Sequence, residues 1–312
     1  MRRYRTLALG AAALVLTMSA CSPGGSEAGS PSASEAAKPQ VKVGSARFWE
    51  AAVVGEMYAQ ALEAAGYPVD RHLEIGERPE VHAAVEGGDV NLFPDYLGGL
   101  GGEGLGLEEL SSDPQEAWDN MQAALADKGW VSFDFSPGTD ADGFAVRSET
   151  ADQLGLETMS DLAGVADQLT WGLAPACPDN DVCGPGLKAV YGIDISQLDV
   201  VTLPPCSTDM ATALNDDAIQ VAQVCTTQPE IASMNFVLLM DDKHLQPAQN
   251  LVPIATSELA DAAPADFAET LNAIQAKLTT EALTNLGVAI NINQDSIEDA
   301  AQQFLKDQGL LP

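Results

Sequence analysis

The sequence predicts an α/β fold of two lobes with a ligand cleft between them. Two successive series of strands alternating with helices carry this prediction, because such a series is typical of a parallel sheet with crossover helices. The composition agrees with it, since 46% of the 312 residues are hydrophobic. That is enough apolar material for a large core, and it excludes a wholly disordered chain.

Residues 1–20 have the pattern of a bacterial signal peptide. Arg2, Arg3 and Arg5 precede an apolar run, Leu7–Met18, that is too short to span a membrane. Small residues then lead to Cys21. The segment resembles a lipobox, which implies cleavage before Cys21 and a diacylglycerol on its sulfur. A plain secretory signal with an incidental cysteine is the alternative.

Residues 21–40 are predicted to be a flexible tether that begins at the lipidated cysteine. They are rich in Ser, Gly, Ala and Pro and cannot bury a core. The later sequence has no uncharged apolar run of about 18 residues, the length that a membrane-spanning helix needs. We therefore expect a folded body that a lipid holds at the extracellular face of the cell membrane.

The first series of strands and helices follows the tether. Alternation at Val41–Val43 predicts a strand, and apolar residues spaced three and four apart predict a helix over Phe48–Ala65. Gly66 ends this helix, at a position that favours glycine. The next predicted elements are a strand at Val69–Ile75, a helix at Pro79–Glu86, a strand at Val90–Phe93, a Gly-rich loop at Gly98–Gly106 and a helix at Pro114–Lys128.

The second series forms the other lobe. It starts with an extended segment at Gly143–Arg147, and three helices end the chain. Its predicted strands are Leu169–Leu173, Val200–Leu203 and Ala218–Val224, and its predicted helices are Gly186–Tyr191, Thr208–Asn215 and one that opens at Ser160–Leu162. We assign residues 41–143 and 229–312 to lobe I and residues 144–228 to lobe II.

The charge balance excludes one class of partner. Lys and Arg total 14 against 46 Asp and Glu, a formal net charge of −32. Such a field repels phosphate backbones, so we expect no nucleic-acid binding. It also argues against docking on anionic lipid through a basic patch.

The cysteines Cys177, Cys183, Cys206 and Cys225 suit an oxidising compartment. Four cysteines allow three disulfide connectivities. We expect Cys177–Cys183 with Cys206–Cys225, because the first pair closes a loop rich in Pro, Asp and Asn. A zinc site is the alternative, but there is no Cys-x-x-Cys pair and the nearest histidine, His244, lies beyond the last cysteine. We expect no metal and no cofactor.

A secreted hydrolase is the rival functional class. The sequence has no Gly-x-Ser-x-Gly and no His-Glu-x-x-His motif, and its histidines are His72, His82 and His244. The many carboxylates carry no information about glycosidase chemistry in so acidic a chain. We therefore expect a binding protein and not an enzyme.

Several collinear blocks between Val41 and Leu311 resemble a known family. Among them are VKVGSARFWEAAVVGEMYAQALEAAGYPV, GGDVNLFPDYLGGL and LTTEALTNLGVAIN. They are similar to the substrate-binding proteins of quaternary-ammonium ABC importers for glycine betaine, choline and carnitine. The resemblance implies a periplasmic-binding-protein-like fold (type II). It also implies a monomeric lipoprotein that delivers a small osmolyte-like solute to an ABC permease and its ATPase.

The resemblance implies that Tyr96, Asp142 and Phe144 contact the ligand. In the family, aromatic rings surround the trimethylammonium group, and a basic or amide side chain binds the carboxylate. Tyr96 matches one ring of this cage, Phe144 falls on a second, and Asp142 matches an acceptor position. Because a ring that lines a cleft supports little of the core, loss of the Tyr96 ring is expected to leave the unfolding midpoint almost unchanged.

The segment after the first strand supplies further candidates. Ser45, Arg47 and Trp49 follow that strand, where open α/β sheets bind ligands. Arg47 is adjacent to the position of a family lysine, and Trp49 is a candidate wall. This chain departs from the family elsewhere, with Ala46 for that lysine, Gly99 for a threonine, Ala211 and Cys225 for two cage tyrosines, and Asn180 near the carboxylate-binding arginine.

Structural roles compete with these ligand roles. Phe144 and Trp49 are equally compatible with core packing, and Arg47 with a solvated charge at a helix start. Asp142 also suits a turn, and Tyr96 a surface loop. For the whole chain, the alternatives are a receptor for a different solute and a sensor or adhesion lipoprotein that has kept the fold and lost transport.

Overall fold

A computed structural model of the protein describes residues 38–312. The predicted signal peptide, Cys21 and nearly all of the predicted tether lie outside the described residues. Within the described part of the chain, no helix combines the length and the apolar character needed to cross a membrane.

Strands and helices are numbered along the chain. The strands are β1 Val41–Ala46, β2 Val69–Gly76, β3 Leu92–Tyr96, β4 Trp130–Ser132, β5 Asp142–Arg147, β6 Thr170–Leu173, β7 Asp199–Thr202, β8 Val221–Cys225, β9 Phe236–Leu239 and β10 Leu251–Thr256. The helices are α1 Trp49–Ala64, α2 Arg78–Glu86, α3 Leu97–Gly99, α4 Pro114–Asp127, α5 Ser148–Leu154, α6 Met159–Ala163, α7 Gly184–Gly186, α8 Thr208–Asn215, α9 Glu230–Ser233, α10 Ser257–Ala262, α11 Asp266–Gln275, α12 Thr280–Gly287 and α13 Ile297–Asp307.

The first lobe is built on a five-stranded sheet in the order β2-β1-β3-β10-β4. Strand β1 runs parallel to β2 and β3, while β10 lies antiparallel between β3 and β4. Helix α1 is buried from Glu50 to Leu62, because it packs on this sheet on one side and on α11 and α13 on the other. Its small residues Ala51, Ala52 and Gly55 permit such close packing.

The second lobe is built on a five-stranded sheet in the order β7-β6-β8-β5-β9. Strand β6 is parallel to β7 and β8, and β5 is antiparallel to both β8 and β9. The fully buried Trp171 lies in the core of this lobe and donates its indole N–H to the Ala166 carbonyl at 3.0 Å. The chain thus forms two lobes, as predicted, and each lobe contains one five-stranded sheet.

The structure differs from the predicted elements in three respects. Both sheets are mixed and not parallel, since β9 and β10 were not predicted and both are antiparallel. Strand β9 pairs with β5, so the chain remains in the second sheet beyond the predicted boundary at residue 228. The Gly-rich segment is helical, with a π-helical turn at Leu100–Gly104 after α3, because Leu97 and Leu100 are buried in the core.

Both predicted disulfides are present, Cys177–Cys183 and Cys206–Cys225. Cys177 and Cys183 are buried in the core of the second lobe. The other bond joins the loop before α8 to the last residue of β8. The expected connectivity is therefore confirmed, and each bond closes its loop within the second lobe.

Candidate ligand-binding cleft

A cleft of about 630 Å³ lies where the two lobes meet. The first lobe contributes the start of α1, the end of β3 and the start of α2, while the segment after β8 and the loop before α8 form the opposite wall. The residues that line it are Phe48, Trp49, Glu50, Arg78, Tyr96, Asp140, Cys206, Thr208, Cys225, Thr227, Gln228, Pro229, Glu230 and Asn291.

A groove of about 700 Å³ lies elsewhere, between α12 and α13. Its lining comes wholly from the C-terminal residues 276–308, and its one aromatic residue is Phe304. The inter-lobe cleft, in contrast, brings three aromatic rings together with the buried carboxyl groups of Glu50 and Glu230. Sites of that kind are where two-lobed α/β receptors hold small molecules, so the cleft is the candidate site.

Three aromatic rings form one side of the cleft. Phe48 precedes α1 and Tyr96 ends β3, and their rings stack with centroids 5.7 Å apart and planes 25° apart. Trp49 begins α1, and its indole lies against Gly287 of α12. A Cβ atom at Gly287 would lie 3.0 Å from Trp49 Cζ2, so a side chain at this position would crowd the indole ring.

Two acidic side chains meet at a threonine in the floor of the cleft. The Thr227 hydroxyl oxygen lies 2.9 Å from Glu50 Oε1 and 2.7 Å from Asp140 Oδ1. Burial, reinforced by the negative charge of Asp140, raises the pKa of Glu50 to about 8. Burial also raises the pKa of Asp140. The floor of the cleft therefore favours the neutral form of at least one carboxyl group.

A buried ion pair forms the edge of the cleft. The Arg78 guanidinium donates to both carboxylate oxygens of Asp95, with Nε 2.9 Å from Oδ2 and Nη2 2.8 Å from Oδ1. It also donates to Glu103. Burial acts to raise the pKa of Asp95, but His82 and Arg78 together hold it below its ordinary value. The Arg78 guanidinium thus forms ion pairs with the carboxylates of both Asp95 and Glu103.

The comparisons with known proteins agree with this geometry. Residues 39–307 match the family described as the substrate binding domain of ABC-type glycine betaine transport system. The chain belongs to this family. It is a substrate-binding protein for quaternary ammonium solutes of an ABC importer, and it is a binding protein and not an enzyme. The predicted family, fold class and function are confirmed.

Individual relatives are distant in sequence and similar over nearly their whole length. The glycine betaine-binding protein YehZ of Escherichia coli is 24% identical over 88% of this chain and 92% of that protein. The carnitine transport binding protein OpuCC of Listeria monocytogenes is 26% identical over 88% and 89%. A crystal structure of a glycine betaine/carnitine/choline ABC transporter protein superposes with a TM-score of 0.80, at 25% identity over 86% of this chain and 99% of that one.

Two of the candidate residues that the family resemblance suggested lie in the cleft. Tyr96 and Trp49 both line it. Tyr96 is only 7% exposed and belongs to the core of the first lobe, so it is a core residue as well as a wall of the cleft. Asp142 lies beside the cleft, paired with Cys225 between β5 and β8, and itself lines a neighbouring depression of about 470 Å³.

The other three candidates do not reach the cleft. Phe144 is buried in the core of the second lobe, edge to face with Trp171 at 5.6 Å. Arg47 is exposed and pairs with Glu77, as expected of a solvated charge. Ser45 is fully buried, and its hydroxyl accepts a hydrogen bond from the Glu74 N–H at 2.9 Å. All three make structural contacts outside the cleft in this structure, and their assignment as ligand contacts stays a prediction.

Two of the departures from the family motif, Gly99 and Cys225, have physical reasons in this structure. A Cβ atom at Gly99 would lie 2.9 Å from Arg78 Cζ, so the guanidinium occupies the space that a threonine at this position would need. Cys225 lines the cleft as half of the Cys206–Cys225 disulfide. The sulfurs lie within 4.8 Å of an Asp142 oxygen, but the disulfide leaves no thiolate there for a metal ion.

Sequence reasoning missed Phe48, Glu50, Arg78, Asp140 and Thr227. Phe48 and Glu50 flank the predicted Trp49, so the position of the helix start was the available signal. Arg78 begins the helix after β2, at the same strand-end edge of the sheet. Asp140 is one of 46 acidic residues, so the sequence offers nothing to single it out. Nothing in the sequence singled out Thr227 either.

Proposed function

We propose that the cleft binds the quaternary ammonium group of a solute of the glycine betaine, choline and carnitine class against Phe48, Trp49 and Tyr96. The observation that carries the proposal is the convergence of these rings with Glu50 and Asp140 in one cleft between the lobes. Aromatic faces attract a desolvated cation, and nearby carboxylates add to that attraction. Named relatives that bind glycine betaine and carnitine support the same class.

We further propose that closure of the lobes on the solute creates the surface that the permease and its ATPase recognise. The chain crosses between the two sheets twice, from β4 to β5 and from β9 to β10. Two crossing segments allow the lobes to move as units about a hinge, which is a common response of two-lobed receptors to ligand. The protein acts in this scheme as a monomeric carrier.

A thermal-shift and calorimetric panel tests the ligand class. Choline, glycine betaine and carnitine are compared with proline, a polyol and 3,3-dimethyl-1-butanol, the uncharged carbon isostere of choline. We expect a quaternary ammonium solute to raise the unfolding midpoint, because a ligand that binds only the folded state stabilises it. The isostere should have little effect, since it has the shape without the charge. Equal stabilisation by choline and its isostere would contradict the cation–π site.

We also propose that the mature protein is anchored to the outer face of the membrane through a lipid on Cys21. The short apolar segment and the small residues before this cysteine support the proposal. A Cys21→Ser variant is expected to leave the membrane fraction, because the lipid would be its sole attachment. Cell fractionation with immunodetection measures this. A variant that remains as firmly in the membrane fraction as the wild type would contradict the anchor.

A further inference from the structure

We propose that Glu50 and Asp140 share one proton through Thr227, and that this acid pair determines which polar group the cleft accepts beside the ammonium. The proposal rests on the proposed function, in which the cleft binds the solute. In this proposal two acids determine the specificity of the cleft. A site that binds the carboxylate of a solute would ordinarily have a basic side chain at such a position.

The count of hydrogens around Thr227 carries the argument. Its hydroxyl has one hydrogen, yet its oxygen lies within hydrogen-bond distance of both Glu50 Oε1 and Asp140 Oδ1. The hydroxyl can donate to only one carboxyl, so the other contact is a hydrogen bond only if that carboxyl donates its own proton. The backbone N–H of Thr227 also donates to Asp140 Oδ1, at 3.3 Å. Asp140 is therefore the ionised acceptor and Glu50 the protonated donor.

A second observation points to a ligand at the same place. The Tyr96 hydroxyl is buried and has no hydrogen-bond partner among the described residues, although Tyr96 lines the cleft. A buried hydroxyl without a hydrogen-bond partner is unfavourable, so a ligand that supplies the partner stabilises it. Tyr96, Glu50 and Asp140 line the same cleft, and the charges of the two acids both act on Tyr96, so this hydroxyl faces the same ligand space as the acid pair.

The charged groups around the pair do not supply a free base. The neighbouring acids are Asp142 of β5, Asp95 of β3 and Glu230 of α9, and Glu230 accepts a hydrogen bond from Thr208 at 2.9 Å. Arg78 is the basic residue among those that line the cleft in residues 38–312, and it is bound to Asp95 and Glu103. The raised pKa of Glu50 agrees with this acidic setting.

The proton gives the two kinds of solute opposite pH dependences. A cation with a hydroxyl, such as choline, favours ionised Glu50, so binding releases the Glu50 proton to the buffer and affinity rises with pH up to about 8. A zwitterion such as glycine betaine has a carboxylate that needs a donor. Protonated Glu50 supplies that O–H, so the affinity for glycine betaine is constant up to about pH 8 and falls as the pH rises above it.

Calorimetric titration of the mature protein with choline and with glycine betaine, from about pH 6 to about pH 9, tests the inference. Titrations repeated in buffers of different ionisation enthalpy give the number of protons released or taken up on binding. We expect choline affinity to rise several-fold, and by no more than about tenfold per pH unit, with release of up to one proton. We expect glycine betaine affinity to stay level up to about pH 8 and to fall above it. Glu50→Gln should remove both pH dependences.

Glu230→Gln is the matched control, because it removes another carboxylate from the same cleft and should retain both slopes. If Glu50→Gln does not fold, Thr227→Val breaks the proton link without removing an acid, and Thr227→Ser restores it. Affinities that do not depend on pH, or the same slopes in Glu50→Gln as in the wild type, would overturn the inference alone. Failure of both solutes to bind at any pH would overturn the proposed function and this inference with it.

Discussion

Replacing Tyr96 by leucine is expected to weaken the binding of a quaternary ammonium solute by several-fold to thirtyfold. The ring supplies a cation–π contact of about 1–2 kcal/mol when the cation is desolvated, and leucine fills a similar space without that contact. Calorimetric titration of the wild type and the Tyr96→Leu variant with the best solute of the panel measures the loss. Tyr96→Phe keeps the ring and should lose less affinity than Tyr96→Leu.

Stability must be measured beside affinity, because Tyr96 belongs to the core of the first lobe. Its 7% exposure overturns the expectation that loss of the ring leaves the unfolding midpoint unchanged. Truncation to alanine should destabilise by about 3–5 kcal/mol, which is why leucine is the better probe. Tyr67→Leu is the matched control, since Tyr67 lies in the same core away from the cleft. If the Tyr96 and Tyr67 variants bind the solute equally well, the site lies elsewhere.

Replacing Arg78 by methionine is expected to destabilise the protein by about 3–5 kcal/mol near pH 7. The pair is buried, with the side chains of Arg78 and Asp95 15% and 6% exposed, so loss of the arginine leaves a buried charge without a partner. Because the pKa of Asp95 is lowered in the folded protein, the pair stabilises above the unfolded pKa of an aspartate, about 3.9. That contribution is lost as the pH falls through the folded pKa.

Denaturant unfolding at neutral and at acidic pH tests this expectation. The loss in Arg78→Met should shrink at acidic pH, where Asp95 takes up a proton and no longer needs a counter-ion. The double variant Arg78→Met, Asp95→Asn should recover most of the neutral-pH stability. Arg47→Met is the control, because its exposed pair with Glu77 should be worth less than about 1 kcal/mol. Similar losses for Arg47 and Arg78, or no recovery in the double variant, would contradict a buried ion pair.

The elements of the first lobe were predictable where hydrophobic spacing is regular, as in α1 and β1. Strand β10 was not, because Pro253 removes a backbone donor and normally argues against a central strand. The structure accommodates it by pairing Pro253 with Pro94 of β3, so that two residues without an N–H lie opposite each other. The hydrophobic pattern around Pro94 or around Pro253 alone does not indicate that the two prolines pair.

The candidate site was predictable only in part, for a similar reason. Tyr96 and Trp49 follow strands at the edge where α/β folds bind ligands, and position alone identifies them. Phe144 also has a suggestive position, next to the predicted lobe boundary. In the folded protein, however, its ring packs edge to face against Trp171. The contact of Glu50 and Asp140 through Thr227 joins three distant segments, and only the folded chain brings them together.

The place of β10 also sets the order in which the newly made chain can mature. The strands of the second sheet are contiguous in sequence, from 142 to 239, so that sheet can form as soon as this stretch has been synthesised. The first sheet must wait, because β3 and β4 are joined only through β10 at Leu251–Thr256. Helices α11 and α13, which cover α1, emerge later still. A chain that ends before β10 therefore lacks a complete first sheet, and the cleft also needs Asn291 from the C-terminal segment.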